Sequence, residues 1–152
     1  MPAENDVLAV ARMLRIAGRE ITRRRDSHAA SLGLTSSQAD ALTFIREHPG
    51  CMIADLQGRV GSSHQAARTL AERLRDRDLI EISVSEKDAR ARVLNITPQG
   101  VLLHDRFLNM GAESMEPLRE TFDDSELREL REGLERLVGG LGLERTVRPR
   151  SL

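Results

Sequence analysis

The pattern of apolar and polar positions is helical over the first sixty residues. Residues 7 to about 30 place apolar side chains three or four positions apart and arginines opposite them, which is the pattern of an amphipathic helix. Thr35 and Gln38 form the capping-box pair that starts a second helix, and His48-Pro49-Gly50 ends it. A short third helix is predicted from Ile53 to Arg59.

A fourth helix is predicted after Gly61, with Ser62 or Ser63 as its N-cap. Ala66, Leu70 and Leu74 recur every four residues, so they are the predicted buried stripe of this helix. The opposite face is polar apart from one alanine. Its outward positions are Ser63, His64, Gln65, Ala67, Arg68 and Glu72.

The spacing changes to that of a β-hairpin after the fourth helix. Apolar residues alternate with polar ones from Ile80 to Val84 and again from Leu94 to Ile96, which predicts two strands. The polar stretch from Ser85 to Arg92 lies between them. The pair is therefore predicted to form a hairpin with a charged tip.

The carboxy-terminal third of the chain is predicted to be helical again. Thr97-Pro98 opens a fifth helix that runs toward Pro117, and Asp123, Asp124 or Ser125 caps the last helix. Leucines in that last helix follow at intervals of 3, 4, 3 and 4, the a/d spacing of a coiled-coil seam. A seam of this length needs a second apolar surface, so a two-fold dimer is predicted. The seam residues are Leu127, Leu130, Leu134, Leu137 and Leu141.

Composition narrows the class of protein. Apolar residues make up 39% of the 152, too many for a disordered chain. The longest apolar run, Val7 to Ala11, is far shorter than the roughly 20 residues of a membrane span, and the acidic amino end leads into no signal-peptide core. One cysteine, Cys51, cannot form an internal disulfide, which indicates a reducing cytoplasm. We expect one cytoplasmic globular domain with no membrane partner.

Charge is distributed unevenly along the chain. The formal net charge is −1, but residues 12–25 carry six arginines and one glutamate, whereas residues 113–144 carry ten acids and four arginines. Residues 61–92 carry seven basic residues against six acids. Net charge therefore describes no single surface. Any contact of residues 61–92 with nucleic acid must depend on basic residues at the tips of the helix and the hairpin.

Two helices, a polar-faced third and a charged hairpin within about 65 residues are typical of a winged helix-turn-helix. The polar end of the fourth helix has side chains that reach base edges in a major groove, where Gln pairs with adenine and Arg with guanine. An Arg at a hairpin tip can enter the minor groove. Asp88 beside it is interpreted as a brace that orients a neighbouring arginine. The predicted DNA-binding residues are Ser62, Ser63, His64, Gln65 and Arg68 in the helix and Lys87, Arg90 and Arg92 in the hairpin.

The hairpin and the fourth helix each carry a sequence motif. Residues 88–100, DARARVLNITPQG, and residues 62–80, SSHQAARTLAERLRDRDLI, resemble the wing and the recognition helix of the MarR (multiple antibiotic resistance regulator) transcription factors. Ala89 departs from the wing pattern, which has Arg there. Asp78 stands where Gly is usual, and Asp tolerates a left-handed backbone better than most residues. Five residues fall on the wing pattern: Asp88, Arg90, Ile96, Thr97 and Gly100.

The resemblance implies a mainly α-helical fold with a small β-hairpin wing. In it a winged helix-turn-helix is flanked by amino- and carboxy-terminal dimerisation helices. Residues 1–152 would form a single domain, with the DNA-binding lobe in residues 33–100 and the dimerisation helices in residues 1–32 and 101–145. In the first helix, Val7, Val10 and Leu14 would join the leucine seam in the dimer interface.

The resemblance also implies a function. It indicates a homodimeric transcriptional regulator, a repressor that binds a palindromic operator in double-stranded DNA and is released by a small, often anionic or phenolic effector. Arg90 is implied as the residue that enters the minor groove. The effector-binding residues stay unassigned. Candidates for holding an anion are Arg15, Arg19, His28 and Arg46.

Other function classes have less support. A helical protein–protein interaction module on the same winged fold, without sequence-specific DNA binding, is the alternative, favoured if Glu72, Asp76 and Asp78 make the recognition-helix surface acidic. No motif indicates an enzyme and no cofactor is expected. The four histidines do not cluster as metal ligands, so no metal is expected either. Cys51 lacks a resolving cysteine, so a redox role is not expected.

Overall fold

The computed structural model describes residue 1, residues 4–60 and residues 63–143. Within these ranges the chain forms seven helices and a three-stranded antiparallel sheet, so the predicted fold class is confirmed. No helix in the described ranges combines the length and the apolar character needed to span a bilayer. In chain order the elements are α1 (Glu4–Ser31), α2 (Ser36–Glu47), β1 (Cys51–Met52), α3 (Ile53–Val60), α4 (His64–Asp76), β2 (Ile80–Val84), β3 (Arg92–Ile96), α5 (Pro98–Ser114), α6 (Glu116–Thr121) and α7 (Asp124–Gly140).

The two amino-terminal helices are joined by a tight turn. α1 has 28 residues, which makes it about 42 Å long at 1.5 Å per residue. Gly33 follows it with a φ of 71°, and the Leu34 amide donates to the Ala29 carbonyl at 2.8 Å. The predicted capping box of α2 is confirmed: Thr35 Oγ1 accepts from the Gln38 amide at 3.2 Å, and Gln38 Oε1 accepts from the Thr35 amide at 2.9 Å.

The predicted hairpin is confirmed, and it belongs to a larger sheet. β2 pairs with β3 in the register Ile80 with Ile96, and β3 is the central strand in the order β1-β3-β2. The additional strand, β1, places Cys51 opposite Leu94. The sequence pattern does not predict β1 because two residues are too short to show an alternation.

The motif residues around Thr97 hold the wing to α5. Asp78 has a φ of 58°, the left-handed conformation expected at this position. Its carbonyl accepts a hydrogen bond of 2.6 Å from the Thr97 hydroxyl, which in turn accepts one of 3.0 Å from the Gly100 amide. Gly100 lies so close to the chain after α4 that a Cβ there would be 2.1 Å from the Leu79 carbonyl oxygen. Thr97 and Gly100 therefore have a structural role in this motif.

The hydrophobic core lies mostly within the predicted DNA-binding lobe, and Ala29 of α1 and Phe107 of α5 extend it. It joins one face each of α2, α3 and α4 to the buried side of the sheet. The largest fully buried side chains are Leu42, Ile45, Leu56, Leu74, Ile80 and Leu94.

The carboxy-terminal helices differ from the prediction in one respect. α5 ends at Ser114, and Pro117 lies in the first turn of the separate helix α6, where its missing N–H is tolerated. Asp123 is the residue that caps α7: its Oδ1 accepts from the Glu126 amide at 3.0 Å, and Glu126 Oε2 accepts from the Asp123 amide at 2.8 Å. The chain therefore turns twice between α5 and the leucine-rich helix.

Candidate nucleic-acid interface

The amino end of α4 presents short polar side chains. Ser63 is its N-cap, and the Ser63 hydroxyl accepts a hydrogen bond of 3.2 Å from the Ala66 amide. His64, Gln65 and Arg68 are exposed on the first turns of the helix. Ser62, also predicted to contact DNA, lies outside the described residues.

The buried face of α4 is rotated from the predicted one. Ala67 is fully buried together with Ala71 and Leu74, whereas Ala66 is exposed, so the predictions for Ala66 and Ala67 were wrong. A stripe with a spacing of four drifts around a helix of 3.6 residues per turn, and mixed spacings of three and four keep to one face. The small alanine side chains let α4 pack closely against α2 and α3.

The wing tip is held by its own backbone. The Ala91 amide donates to the Asp88 carbonyl, and the Ser85 amide donates to the Ala91 carbonyl, both at 3.0 Å. Asp88 Oδ1 accepts a hydrogen bond of 2.9 Å from the Arg90 amide. The Asp88 carboxylate therefore orients the backbone of Arg90, and no ion pair joins it to the Arg90 guanidinium among the described residues. Arg92 adds a bond of 3.2 Å from its Nη1 to the Ala89 carbonyl.

A groove of about 400 Å³ lies between α4 and the wing. Met52 and Ile53, at the junction of β1 and α3, form part of its apolar wall, together with Ile82 of β2. The structure thus brings half of the predicted DNA-binding residues into one concavity, while Ser63, Gln65 and Lys87 are exposed outside its lining. The predicted residues that line it are His64, Arg68, Arg90 and Arg92.

The groove is basic. Its described lining residues include four arginines, Arg68, Arg75, Arg90 and Arg92, and one carboxylate, that of Glu72. Glu72 accepts a hydrogen bond of 3.0 Å from Arg68 Nε, and Arg75 pairs at 2.9 Å with Asp76, which lies outside the lining. The acidic surface that would favour the protein-binding alternative is therefore not found in this groove. Sequence reasoning missed Arg75, although it follows His64, Arg68 and Glu72 at intervals of 4, 4 and 3 on one helix face.

The predicted dimer seam is uncovered in the single chain. No residue of α7 is buried, and Leu130, Leu134, Leu137 and Leu141 are 38–63% exposed. Val7 and Val10 of α1 are more than half exposed, while Leu14 and Leu127 are half-buried. The amino- and carboxy-terminal helices thus offer apolar surface that this chain does not itself cover.

Cys51 has the environment of an unreactive thiol. It is buried in β1, and burial, followed by the negative charge of Asp55, raises its pKa to about 11. At neutral pH the nucleophilic thiolate is therefore scarce. In the described part of the chain, no three His, Cys, Asp or Glu side chains form a group that could hold a metal ion.

The four candidate anion-binding residues lie on two helices, three on α1 and one on α2. Arg15 and Arg19 are exposed on α1, and His28 lies half-buried near its end. Arg46 of α2 already has partners: its Nη1 lies 2.7 Å from His104 Nδ1 and also contacts the Asp105 carboxylate. The geometry does not assign the effector site to any of the four.

Comparisons with known proteins agree with this geometry. Residues 32–91 match the sequence model of the MarR family, whereas no curated protein has a significant match to the chain. The multiple antibiotic-resistance repressor from Listeria monocytogenes has a similar structure, with 22% identity, 91% and 96% of the two chains covered and a TM-score of 0.70.

Two further similar structures are of proteins with a DNA or a small-molecule partner. A Staphylococcus aureus MepR mutant bound to an oligodeoxyribonucleotide is 19% identical over 87% of this chain and 97% of that one, with a TM-score of 0.64. Bordetella bronchiseptica BpsR, whose DNA binding is regulated by 6-hydroxynicotinic acid, is 20% identical over 85% and 98%, with a TM-score of 0.65. At these identities the structural likeness establishes the fold.

Proposed function

We propose that the chain is a DNA-binding transcriptional regulator of the MarR family, whose sequence model matches residues 32–91. In this proposal it is a homodimeric, sequence-specific repressor that acts in the cytoplasm without enzymatic activity. In this proposal α4 enters the major groove and Arg90 the adjacent minor groove. The observation that carries it is the basic groove that the polar end of α4 shares with the wing arginines. The oligodeoxyribonucleotide bound to a mutant of MepR, which shares this fold, gives further support.

The assembly we propose is a two-fold dimer. Residues 1–32 and 101–145 would form the interface, since they carry the exposed apolar surfaces of α1 and α7. Two-fold symmetry would present two recognition helices about one turn of DNA apart, roughly 34 Å, to a palindromic operator. Residues 33–100 would be the DNA-binding lobe.

The effector we propose is a small aromatic acid. The regulation of BpsR by 6-hydroxynicotinic acid supports this class of compound. A thermal-shift screen of small aromatic acids should find a compound that raises the melting temperature in proportion to the logarithm of its concentration. The same compound should release the protein from its operator, and a compound that stabilises the protein without releasing DNA would contradict the assignment.

Selection from a random duplex library tests sequence-specific binding directly. The selected operator should bind more tightly than random duplex by about 10³-fold or more, and the affinity for both should fall steeply with salt because phosphate contacts release counterions. Equal affinity for the two duplexes across salt concentrations would overturn the proposal and leave the winged fold as a protein interaction module.

The substitution Arg90→Ala tests the wing. It should weaken operator binding by about 1–3 kcal/mol and relax the preference at flanking A·T pairs, since the narrow minor groove there attracts a guanidinium. Arg128→Ala is the matched control, because it removes the same charge from an exposed position of α7. Measurements by fluorescence anisotropy with the selected operator should separate the two variants. Equal losses would mean that overall charge alone was responsible.

A further inference from the structure

A buried polar cluster joins the DNA-binding lobe to the dimerisation helices. His104 of α5 is 4% exposed. Both of its ring nitrogens contact α2: Nε2 lies 2.9 Å from Thr43 Oγ1, and Nδ1 lies 2.7 Å from Arg46 Nη1. This one side chain therefore links two helices that are about sixty residues apart in the sequence.

The partners fix the protonation state of the ring. Arginine can only donate hydrogen bonds, so Nδ1 must accept from Arg46 and cannot carry a proton. The Thr43 hydroxyl donates to the Ala39 carbonyl at 2.9 Å, so its oxygen is able to accept from His104 Nε2–H. Each group in the order Arg46, His104, Thr43, Ala39 thus donates to the next. This arrangement is satisfied only by a neutral ring with its hydrogen on Nε2.

The surroundings of the ring also favour its neutral form. Burial, followed by the positive charge of Arg46, lowers the pKa of His104, while Asp105 and Glu47 oppose that shift. On the α1 side, the Arg25 guanidinium lies over the Phe107 ring at 5.2 Å, and the centre of that ring is 6.4 Å from the centre of the imidazole. Among the charged groups named here around the ring, His104 is the residue type that ordinarily titrates between pH 5 and 8. His28 of α1 is also a histidine, and it is kept in every variant compared below.

We propose that His104 is a positioning residue for DNA binding. Its neutral ring holds α2, and with it the helix-turn-helix, at one orientation on α5, and protonation of the ring places an N–H of His104 against an N–H of Arg46 and loosens that junction. Because the two recognition helices of a dimer must match a fixed operator spacing, a loosened junction lowers operator affinity. This inference rests on the proposed function.

The pH dependence of operator affinity tests the proposal, provided that His64 is first removed. His64 lines the DNA-facing groove, and its protonation would strengthen phosphate binding in acid. We therefore compare His64→Gln with the double variant His64→Gln, His104→Gln, in which glutamine keeps a donor and an acceptor but does not titrate. Between about pH 7.5 and pH 5, the single variant should lose about two- to fivefold more affinity for the selected operator than the double variant does.

Arg46 provides a second test that leaves His104 in place. In Arg46→Gln the amide can donate to the neutral ring or, turned over, accept from the protonated one, so the acid loss of affinity should disappear in the His64→Gln background. Arg46→Lys is the control, because an ammonium group can only donate and the loss should persist. Equal pH profiles for these two variants, or for the two compared above, would overturn the proposal.

Two measurements separate this proposal from the proposed function. Nitrogen-15 NMR of the histidine rings should show His104 protonated at Nε2 alone at neutral pH, and a doubly protonated ring there would overturn the proposal. Far-UV circular dichroism confirms that the chain stays folded at each pH. If the protein at neutral pH does not distinguish the selected operator from random duplex, the proposed function fails. If instead operator affinity falls in acid only in the variants that keep His104 and a cationic residue 46, the result supports the role of the α2–α5 junction.

Discussion

At the turn between α4 and β2, the roles of individual motif residues can be separated. Asp78 adopts the left-handed conformation, and its carbonyl oxygen accepts a hydrogen bond of 2.6 Å from the Thr97 hydroxyl. Gly100 packs against the Leu79 carbonyl. These residues lie within a motif that resembles a DNA-binding wing, yet their contacts are internal to the protein. Their role is to fix the position of the wing relative to α5.

We expect Gly100→Ala to destabilise the protein strongly, although it adds only one methyl group. The new Cβ would lie 2.1 Å from the Leu79 carbonyl oxygen and 2.7 Å from Ile96 Cγ1, so backbone must move. Overpacking of this kind costs about 1–3 kcal/mol of the free energy of unfolding. Urea denaturation followed by far-UV ellipticity measures the effect, since the chain has no Trp or Tyr for fluorescence.

The matched control for this substitution is Gly58→Ala. Gly58 lies within α3, and a Cβ there would meet nothing within 4 Å. Alanine has the higher helix propensity, so this variant should be neutral or more stable by up to about 1 kcal/mol. Similar stabilities for the two variants would contradict the close approach of Gly100 to Leu79.

At the scale of elements, the sequence predicts the two strands of the wing, and the structure adds a third strand and the contact that Asp88 makes. The alternation from Ile80 to Val84 and from Leu94 to Ile96 predicts the two strands, and the structure adds β1 on the other side of β3. The sequence also indicates Asp88 as a brace of a neighbouring arginine. The observed hydrogen bond goes to the Arg90 amide, so the brace acts on the turn.

We predict that Asp88→Ala weakens operator binding relative to Glu86→Ala. Both substitutions remove one negative charge from exposed positions in the same loop, so their electrostatic effects on DNA should be alike. Asp88→Ala alone also removes the hydrogen bond to the Arg90 amide, which is worth about 1 kcal/mol or about fivefold in affinity. Fluorescence anisotropy measures both. An Asp88→Ala affinity equal to that of Glu86→Ala would contradict the bracing role.

At the scale of the whole molecule, the main observation is apolar surface without a partner. The core is concentrated in the lobe between α2 and β3, whereas α7 has no buried residue. A seam of leucines at a/d spacing gains its stability only when a second helix covers it. The arrangement supports a dimer held by the terminal helices, with the two basic grooves presented to DNA.

We expect Leu134→Glu to dissociate the proposed dimer. A charged side chain in the centre of the seam would be desolvated twice in a two-fold interface, and each copy would also lose about 1.5 kcal/mol of apolar burial, so dimerisation should weaken by at least about 100-fold. Sedimentation equilibrium measures the change. Val84→Glu is the control, because Val84 is 51% exposed on β2, outside the proposed interface. A monomeric wild-type chain, or a Leu134→Glu variant that remains dimeric, would contradict the prediction that the leucine seam forms the dimer interface.

How far the sequence predicts the site depends on the kind of information involved. Local signals predict the capping box at Thr35, a cap among Asp123, Asp124 and Ser125, the hairpin, and the polar residues of α4, because each depends on neighbours within a few positions. Predictions for Ala66 and Ala67 were wrong because the buried face of a helix is decided by what packs on it. Arg75 was missed for a related reason: its place in the groove depends on the position of the wing.

The sequence by itself therefore determined the fold class, the family resemblance and the candidate DNA-contacting residues, since periodicity, capping and motif spacing are properties of neighbouring residues. Tertiary structure alone decided which of those residues share one groove, and it alone revealed that His104 meets Arg46 and Thr43 across the α2–α5 junction. Contacts between residues sixty positions apart depend on how helices pack in three dimensions, and no local pattern of residues records that packing.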